Sequence, residues 1–377
     1  VELLGKSKSE LREFCMSLGE PAYRGAQIYH ALYAEQKFSV RQMTNLPAAL
    51  RERLAKESSI TLPTVRQRYA SQDGSVRYLF ALGKQEPTVL RGSEEALGAQ
   101  NPGIKPASVE AVFMPSAGRQ TICISTQAGC AVDCQFCLTA QLGLLRNLLP
   151  GEILAQVLVA LAEQKEPLTP PSARVERKQT NVVLMGQGEP LLNFDNVMAA
   201  LRILLDPEGL GISPKHVTLS TSGIVPGIER LAQEKVRPKL AVSLNASNEE
   251  QRERLMPINR KYPLAALLEV CAKYPLRPWE HLTFEYVMLG GVNDTPLDAR
   301  RVVKLLAPLQ SVKVNLIPWN PGELPYREPS EESLEEFRRV LVELGVPAFV
   351  RYSRGRDVMA ACGQLALRSS RPLTVSG

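Results

Sequence analysis

From residue 121 to residue 353 the chain alternates short β-like runs with helical ones, and this alternation constrains its fold more than any other feature. The runs TICISTQ (121–127), NVVLMG (181–186), VTLSTS (217–222), LAVSLN (240–245), TFEYVML (283–289) and KVNLIPW (313–319) are apolar and β-branched, and FVRYS (349–353) adds a last short one. Between them Ile153, Leu154, Val157, Leu158 and Leu161 form an apolar stripe at helical spacing. Helices are predicted near 194–205, 226–235, 248–256 and 264–273. Thr295-Pro296 opens another as N-cap and first-turn pair, and Ser330 precedes an acidic first turn of one running to about residue 344. Six βα units argue an α/β fold, with a parallel sheet under outer helices. Six are too few for the usual eight-stranded barrel, so a partial, open (βα)6 barrel is expected. A flat doubly wound sheet is the alternative, weakened because no glycine-rich dinucleotide fingerprint follows the first strand.

Upstream the pattern differs. Residues 1–60 read as a small helical unit, with Leu11, Phe14 and Leu18 on one face and Ile28, Leu32 and Tyr33 on another. Residues 61–120 read as a β-rich connecting segment carrying VRYLFAL, PTVLRG and VEAVFMP around a loop-like EEALGAQNPGIKPAS. The barrel is expected over 121–353, with a solvated loop at 165–179, and a C-terminal segment over 354–377. The 377 residues include 45 Lys+Arg against 39 Asp+Glu, a net charge of +6, and 44% are hydrophobic. Such a composition excludes a disordered tail, a collagen-like or coiled-coil rod and a disulfide-built mini-protein. The modest positive excess fits a polyanionic partner. No run of about 18 apolar residues occurs, so no membrane span is expected. The polar N-terminus VELLGKSKSELREFC lacks a secretory core, so a cytoplasmic location is expected.

The chain has seven cysteines: Cys15, Cys123, Cys130, Cys134, Cys137, Cys271 and Cys362. An odd number without a secretory signal argues against a structural disulfide framework. Cys130-x-x-x-Cys134-x-x-Cys137 directly follows the first barrel strand. Three thiolates are soft ligands that suit an iron–sulfur cluster or zinc. Structural zinc wants four protein ligands, and no fourth is near: Cys123 lies within a strand and His216 is far along the chain. Three ligands to a cubane cluster leave one iron open, able to chelate a small molecule and pass it an electron. The bland alternative is three buried small hydrophobes.

Other polar residues gather at the ends of the predicted strands. Gly186-Gln187-Gly188-Glu189-Pro190 closes the second, where small residues let a ligand approach the backbone and Glu189 offers an acceptor for an ammonium group. Ser220 ends the third, Ser243-Leu244-Asn245 the fourth and Asn320 the sixth. Chemistry in βα barrels sits at these C-terminal strand ends, although each residue singly also suits a cap or turn. Cys362, in AACGQL beyond the last strand, and Cys123, in the first, suggest redox or covalent chemistry if the C-terminal segment folds back over the barrel mouth. A buried helix cysteine is the alternative for Cys362. Cys15 and Cys271 sit in apolar helical stretches and read as core.

The cysteine triplet, with Phe136 before its third member, resembles the motif of the radical S-adenosylmethionine (SAM) enzymes. The ordered set Val109-Glu110-Ala111-Val112, the triplet, GQGEPLLN, VTLSTSG, LAVSLNAS, MPINRKYPL, EYVML, NLIPWNP and AACGQL runs over nearly the whole chain. It resembles the RlmN/Cfr family of RNA methyltransferases, whose accessory helical domain YRGAQIYHALY also resembles. The resemblance implies a 4Fe–4S cluster on Cys130, Cys134 and Cys137, with SAM held at Gly188, Glu189, Ser220, Ser243, Leu244, Asn245 and Asn320. It implies two SAM molecules per turnover: one methylates Cys362, and one on the cluster yields a 5′-deoxyadenosyl radical that activates the S-methyl group for addition to an adenine carbon. It further implies that Cys123 releases the product through a transient disulfide with Cys362, and that Glu110 is a proton acceptor. The chain departs from the family pattern at Asn245, where His is usual, and at Gln187, where Met is usual.

The resemblance implies 23S rRNA and tRNA as substrates, C2 of adenine as target, a flavodoxin-type electron donor and a monomer. Lys6, Lys8, Arg24, Arg51, Arg53 and Lys56 would give the helical unit a phosphate-facing surface, although interleaved acids equally suit a solvated mixed-charge face. Two other readings stay open at this point: a C8-methylating relative, and a non-enzymatic RNA-binding protein with a structural metal site.

Overall fold

The computed structural model describes residues 1–83, 107–164 and 179–366. The run PTVLRG, nearly all of EEALGAQNPGIKPAS and nearly all of the 165–179 stretch lie outside the described residues.

The N-terminal unit holds three helices, α1 (Lys8–Ser17), α2 (Tyr23–Tyr29) and α3 (Ala48–Glu57), with a π-helical turn, His30–Ala34, extending α2. Ser7 starts α1 with a capping box: its hydroxyl accepts from the Glu10 N–H, while the Glu10 carboxylate accepts from the Ser7 N–H. The unit shares the main core. Leu3, Leu4, Leu11, Ile28, Leu32 and Leu54 are buried in the same apolar cluster as Ile153, Leu154 and Leu204 of the barrel helices. Gly5 allows the closest approach, because at φ +91° a Cβ there would lie 2.4 Å from the Gly151 nitrogen.

Ten strands form one sheet. In chain order the strands are β1 (Thr64–Ala70), β2 (Val76–Ala81), β3 (Ser108–Ser116), β4 (Arg119–Cys123), β5 (Gln127–Gly129), β6 (Leu144–Asn147), β7 (Gln179–Leu184), β8 (Val217–Thr221), β9 (Lys239–Ser243), β10 (Leu282–Met288), β11 (Val312–Pro318) and β12 (Ala348–Val350). The sheet runs β1-β2-β3-β4-β7-β8-β9-β10-β11-β12, with β5 and β6 apart as a two-stranded ribbon. In that sheet β1 to β4 pair antiparallel, and the pairings β4-β7-β8-β9-β10-β11-β12 are all parallel. The expected six-strand parallel order is therefore present, and β1–β3 extend it at the β4 edge.

Helices α4 (Pro150–Glu163), α5 (Phe194–Leu205), α6 (Val225–Gln233), α7 (Glu249–Leu255), α8 (Leu264–Lys273), α9 (Pro296–Leu306) and α10 (Glu331–Glu343) fill the crossovers. Thr295 caps α9 with Pro296 in its first turn, and the Ser330 hydroxyl caps α10 by accepting from the Ser333 N–H. The segment after β12 bridges the two ends of the sheet. Gly355 N–H donates to Asp73 Oδ2 at 3.0 Å, and the Ser71 hydroxyl in the β1–β2 turn donates to Asp357 Oδ1 at 2.6 Å. The barrel is thus open between β1 and β12 but strapped across the gap. Among the described residues no helix is long and apolar enough to cross a membrane.

The run 121–127 differs from a single strand. The sheet strand ends at Cys123, and the chain turns away because Ser125 N–H donates to Gln156 Oε1 (2.8 Å) and Thr126 N–H to the Gln187 carbonyl (2.8 Å). Gln127 then begins the β5–β6 ribbon that carries the cysteine loop.

Candidate active site

The cysteine loop spans the gap between β5 and β6, and its neck is set by glycine. Gly129 has φ +76°, and a Cβ on it would stand 1.8 Å from the Gly143 carbonyl oxygen. No other residue fits there without moving the ribbon. Cys130 N–H donates to that same carbonyl at 3.0 Å, closing the loop. Gln135 N–H, inside the loop, donates to the Leu255 carbonyl at the end of α7 (3.0 Å), and Leu138 N–H donates to the Gly363 carbonyl (2.8 Å). The loop is therefore pinned to the barrel on one side and to the C-terminal segment on the other.

A cavity opens at the C-terminal ends of the barrel strands. Its walls include Cys130, Cys134, Cys137, Gly188, Glu189, Ser220, Ser243, Asn245, Asn320 and Cys362. The residues expected from sequence to hold a cluster and SAM thus converge, apart from Leu244. That side chain is buried behind the wall, with its N–H donating to the Glu285 carbonyl (2.9 Å).

Burial pushes the Cys130 thiol up to about 12, with Glu189 and Cys137 adding to the rise. Burial likewise holds Cys134 well above the usual thiol range, with Cys137 and Cys130 adding. As bare thiols these would stay protonated at neutral pH, so a soft cationic group is what would draw them into thiolate form. Among the described residues no three His, Cys, Asp or Glu side chains are arranged to hold a single metal ion. Three soft donors carried by one loop on the wall of one cavity fit an iron–sulfur cluster, and three thiolates on a four-iron cluster would leave one iron open.

Glu189 is fixed as an acceptor. Its Oε2 takes hydrogen bonds from the N–H (2.7 Å) and hydroxyl (2.8 Å) of Ser222, and its Oε1 takes one from the Leu191 N–H (3.0 Å). Burial raises its pKa while these donors work against the rise. A carboxylate has about four acceptor sites, so room remains for a cationic ligand group. Gly188, also on the cavity wall, lets Gln127 pack close: at φ +94° a Cβ would meet the Gln127 Cβ at 2.4 Å and its nitrogen at 2.7 Å.

Asn245 lies in the left-handed region at φ +55°, which Asn tolerates better than most residues. Its Oδ1 accepts from the Val287 N–H (2.8 Å) and its Nδ2 donates to Met256 Sδ (3.3 Å). The side chain that replaces the family's usual His is thus spent on the wall itself. Gln187 is fully buried and its Oε1 has no partner among the described residues.

Cys362 reaches this mouth because the C-terminal segment is stitched down around it. Asn320 Nδ2 donates to the Cys362 carbonyl (3.1 Å) and to Ser353 Oγ (2.9 Å), Thr139 Oγ1 donates to the Leu365 carbonyl (2.6 Å), and Gln364 Nε2 donates to the Pro321 carbonyl (2.8 Å). Cys362 is solvent-exposed through the cavity, yet protein packed around it pushes its thiol up to about 11, with Glu285 and Cys137 adding to the rise. Cys123 is buried with Val112, Ala360 and Leu365 rather than lining the cavity. Burial raises its pKa, and the nearby Cys362 adds to the rise.

One expectation is revised here, that of a disulfide, and a second residue lies apart from the cavity. All seven cysteines are free, so no disulfide joins Cys123 to Cys362; Cys123 sits in the apolar cluster while Cys362 faces open space. Glu110 is fully buried and ion-paired with Arg77, and is not among the residues lining the cavity.

The cavity also holds residues that sequence reasoning did not single out. Glu285 projects from β10, accepts from Asn315 Nδ2 (2.9 Å) and has its pKa raised by burial. Met256 and Trp319 complete the apolar side, the indole donating to the Phe136 carbonyl (3.2 Å). The signal for Glu285 was present: a charged residue in an otherwise apolar buried strand.

Comparison with known proteins agrees with this geometry. Residues 124–301 match the Radical SAM superfamily, and residues 1–60 match the Ribosomal RNA large subunit methyltransferase N-terminal domain. A probable dual-specificity RNA methyltransferase RlmN from Koribacter versatilis is 48% identical over 92% of this chain and 96% of its own length. The dual-specificity RNA methyltransferase RlmN of Anaeromyxobacter dehalogenans is 43% identical over 97% of this chain and 91% of its own. A crystal structure of a radical SAM methyltransferase from Sphaerobacter thermophilus superposes with TM-score 0.82 at 38% identity, covering 97% of this chain and 99% of that one.

Proposed function

Because the chain belongs to the RlmN family of radical SAM RNA methyltransferases, we propose that it methylates C2 of a specific adenine in 23S rRNA and of the adenine next to the anticodon in tRNA, through a methylated Cys362. The observation that carries this reading is the convergence of Cys362 with Cys130, Cys134, Cys137 and Glu189 on one cavity. Adenine C2 has no lone pair to attack a methyl sulfonium, so simple displacement is closed to it. A 4Fe–4S cluster with SAM supplies, when bound, the one-electron chemistry that such a carbon requires.

The protein's own residues have separable tasks. Cys130, Cys134 and Cys137 would hold the cluster. Glu189, buttressed by Ser222, would accept the ammonium group of SAM, and the walls at Ser220, Ser243 and Asn320 would fix its orientation. Phe136, Met256 and Trp319 exclude water from one side of the cavity. Asn320 and Thr139 hold the segment that presents the Cys362 Sγ. Cys123, close behind, would act on Cys362 to free the product, and Glu110, ion-paired with Arg77 outside the cavity lining, would be the proton acceptor. Two SAM molecules per turnover, a flavodoxin-type reductant, a cytoplasmic location and a monomeric state complete the reading.

Mass spectrometry of nucleosides tests it. RNA from cells lacking the protein should lose 2-methyladenosine from 23S rRNA and tRNA, and restoring the gene should restore it. Persistence of 2-methyladenosine with loss of 8-methyladenosine would instead assign the C8 chemistry.

A further inference from the structure

Three arginines are buried among the described residues: Arg77, Arg237 and Arg252. Arg77 is ion-paired with Glu110, and Arg237 lies 3.8 Å from Glu280. Arg252, 1% exposed, forms no ion pair with any described residue. An uncompensated buried charge is costly, typically several kcal/mol, so an arginine kept this way calls for an anion the polypeptide itself does not provide.

The side chain is held in place by neutral acceptors. Nη1 donates to the carbonyls of Ser243 (3.0 Å) and Leu244 (2.7 Å) and to Met256 Sδ (3.3 Å), and Nη2 donates to the Ser222 carbonyl (2.7 Å). The buried Nε has no partner. The guanidinium therefore clamps the ends of β8 and β9, immediately behind two strand ends that wall the cavity. Glu249 acts on it only at a distance, forming no ion pair with it and accepting instead from Asn259 Nδ2 (2.6 Å) and the Leu264 N–H (3.1 Å). The cysteine loop lies against the same helix. Cys134 and Cys137 pack on a cluster containing Leu255 and Met256, and Gln135 N–H bonds the Leu255 carbonyl one turn beyond Arg252. Burial lowers the guanidinium pKa to about 10, and Cys134 is the foremost group opposing that fall.

We propose that Arg252 is the charge partner of the cluster held by Cys130, Cys134 and Cys137, and that its fixed positive charge raises the cluster's reduction potential. The inference rests on the reading of the three cysteines given above. Thiolates bring net negative charge into the cavity floor, and each electron accepted from a one-electron donor adds another unit. A fixed cation stabilises the reduced form more than the oxidised one, and net charge is a recognised determinant of such potentials. Arg252 acts as a positioning residue for the wall and as a tuning charge, without touching the reacting atoms.

The test compares iron- and sulfide-reconstituted wild-type protein with R252K and R252Q in dye-mediated potentiometric titrations followed by electron paramagnetic resonance. R252K keeps the charge and should leave the reduced-to-oxidised ratio at a fixed potential within about threefold of wild type. R252Q should lower that ratio at least about tenfold, which is about 59 mV for one electron. A wild-type potential in R252Q overturns the inference. If R252Q cannot retain its cluster, the readout becomes iron loss to a chelator. Faster loss in R252Q than in R252K supports the charge role, and equal loss in both overturns it in favour of a carbonyl clamp alone. A wild-type protein that takes up no cluster overturns the reading of the cysteines itself, and this inference with it.

Discussion

At Cys123 the two chemical roles of the sulfur atoms can be separated. Cys362 faces the cavity and Cys123 lies just behind it, in an apolar cluster with Ala360 and Leu365. Cys123→Ala should therefore spare cluster assembly and methylation of Cys362 but stop release. RNA should stay covalently attached to Cys362, visible as a denaturation-resistant gel shift. No crosslink under turnover would remove the two-cysteine assignment. Glu189→Gln keeps the shape of the wall but lacks the charge that would meet an ammonium group, and the SAM dissociation constant should rise at least about tenfold, a loss typical of a charge-assisted hydrogen bond. Calorimetry on anaerobic protein would measure it. The cysteine triplet was legible in sequence because its members are neighbours along the chain. Arg252 was not, because an arginine on a short helix gains meaning only from what the fold leaves beside it, whereas Glu285 carried a signal as the charged residue of an otherwise apolar strand.

Elements carry the next set of consequences. The barrel strands were legible because β-branched and apolar residues predominate in short runs set between helical ones, as a largely buried parallel sheet requires. The β5–β6 ribbon was not: three and four residues are too few for a period, and its geometry depends on Gly129 meeting Gly143. Gly129→Ala should thus displace the cysteine loop while the ten-stranded sheet persists. Iron uptake on reconstitution should fall sharply, with circular dichroism unchanged. The strap over the open edge of the barrel was equally hidden, since its partners are more than 280 residues apart. Asp73 makes it pH-sensitive. Burial raises its pKa, but the N–H groups of Ser75 and Gly355 and the Ser75 and Ser71 hydroxyls outweigh that and hold it at about 2, below the ordinary 3.8. A depressed folded-state pKa contributes stability above the ordinary value, and that stability is lost as pH falls through the folded one. Melting temperatures should therefore show wild type above Asp73→Asn at neutral pH, with the gap closing between pH 3.8 and about 2.

On the scale of the whole molecule, the N-terminal unit is part of the barrel's core and not a tethered appendage. Tyr29 donates to Asp206 Oδ2 at 2.8 Å, Lys8 pairs with Glu208, and Leu3 and Leu4 enter the shared apolar cluster. Sequence showed the unit's helices but not this docking, because the complementary acids lie some two hundred residues away. The same fact sorts the six cations expected to face RNA. Lys6, Lys8 and Arg53 already have Glu10, Glu208 and Glu57 as partners, so a phosphate must compete with a carboxylate for each. Arg24 rests over the Tyr23 ring at 4.8 Å. Arg51 donates to a neutral carbonyl, that of Arg41, and Lys56 is exposed with no ion pair among the described residues. Of these six cations, Arg24, Arg51 and Lys56 are without a carboxylate partner among the described residues, and two of the three lie on α3. The double variant Arg51→Ala with Lys56→Ala should weaken RNA binding, and should reduce the slope of log affinity against log salt by about one for each phosphate that is no longer neutralised. Lys8→Ala with Arg53→Ala should change that slope little, because removing a paired cation also frees an acid that repels RNA. Filter-binding titrations across a salt series would distinguish the two, and equal slopes for both variants would move the RNA-binding surface away from α3.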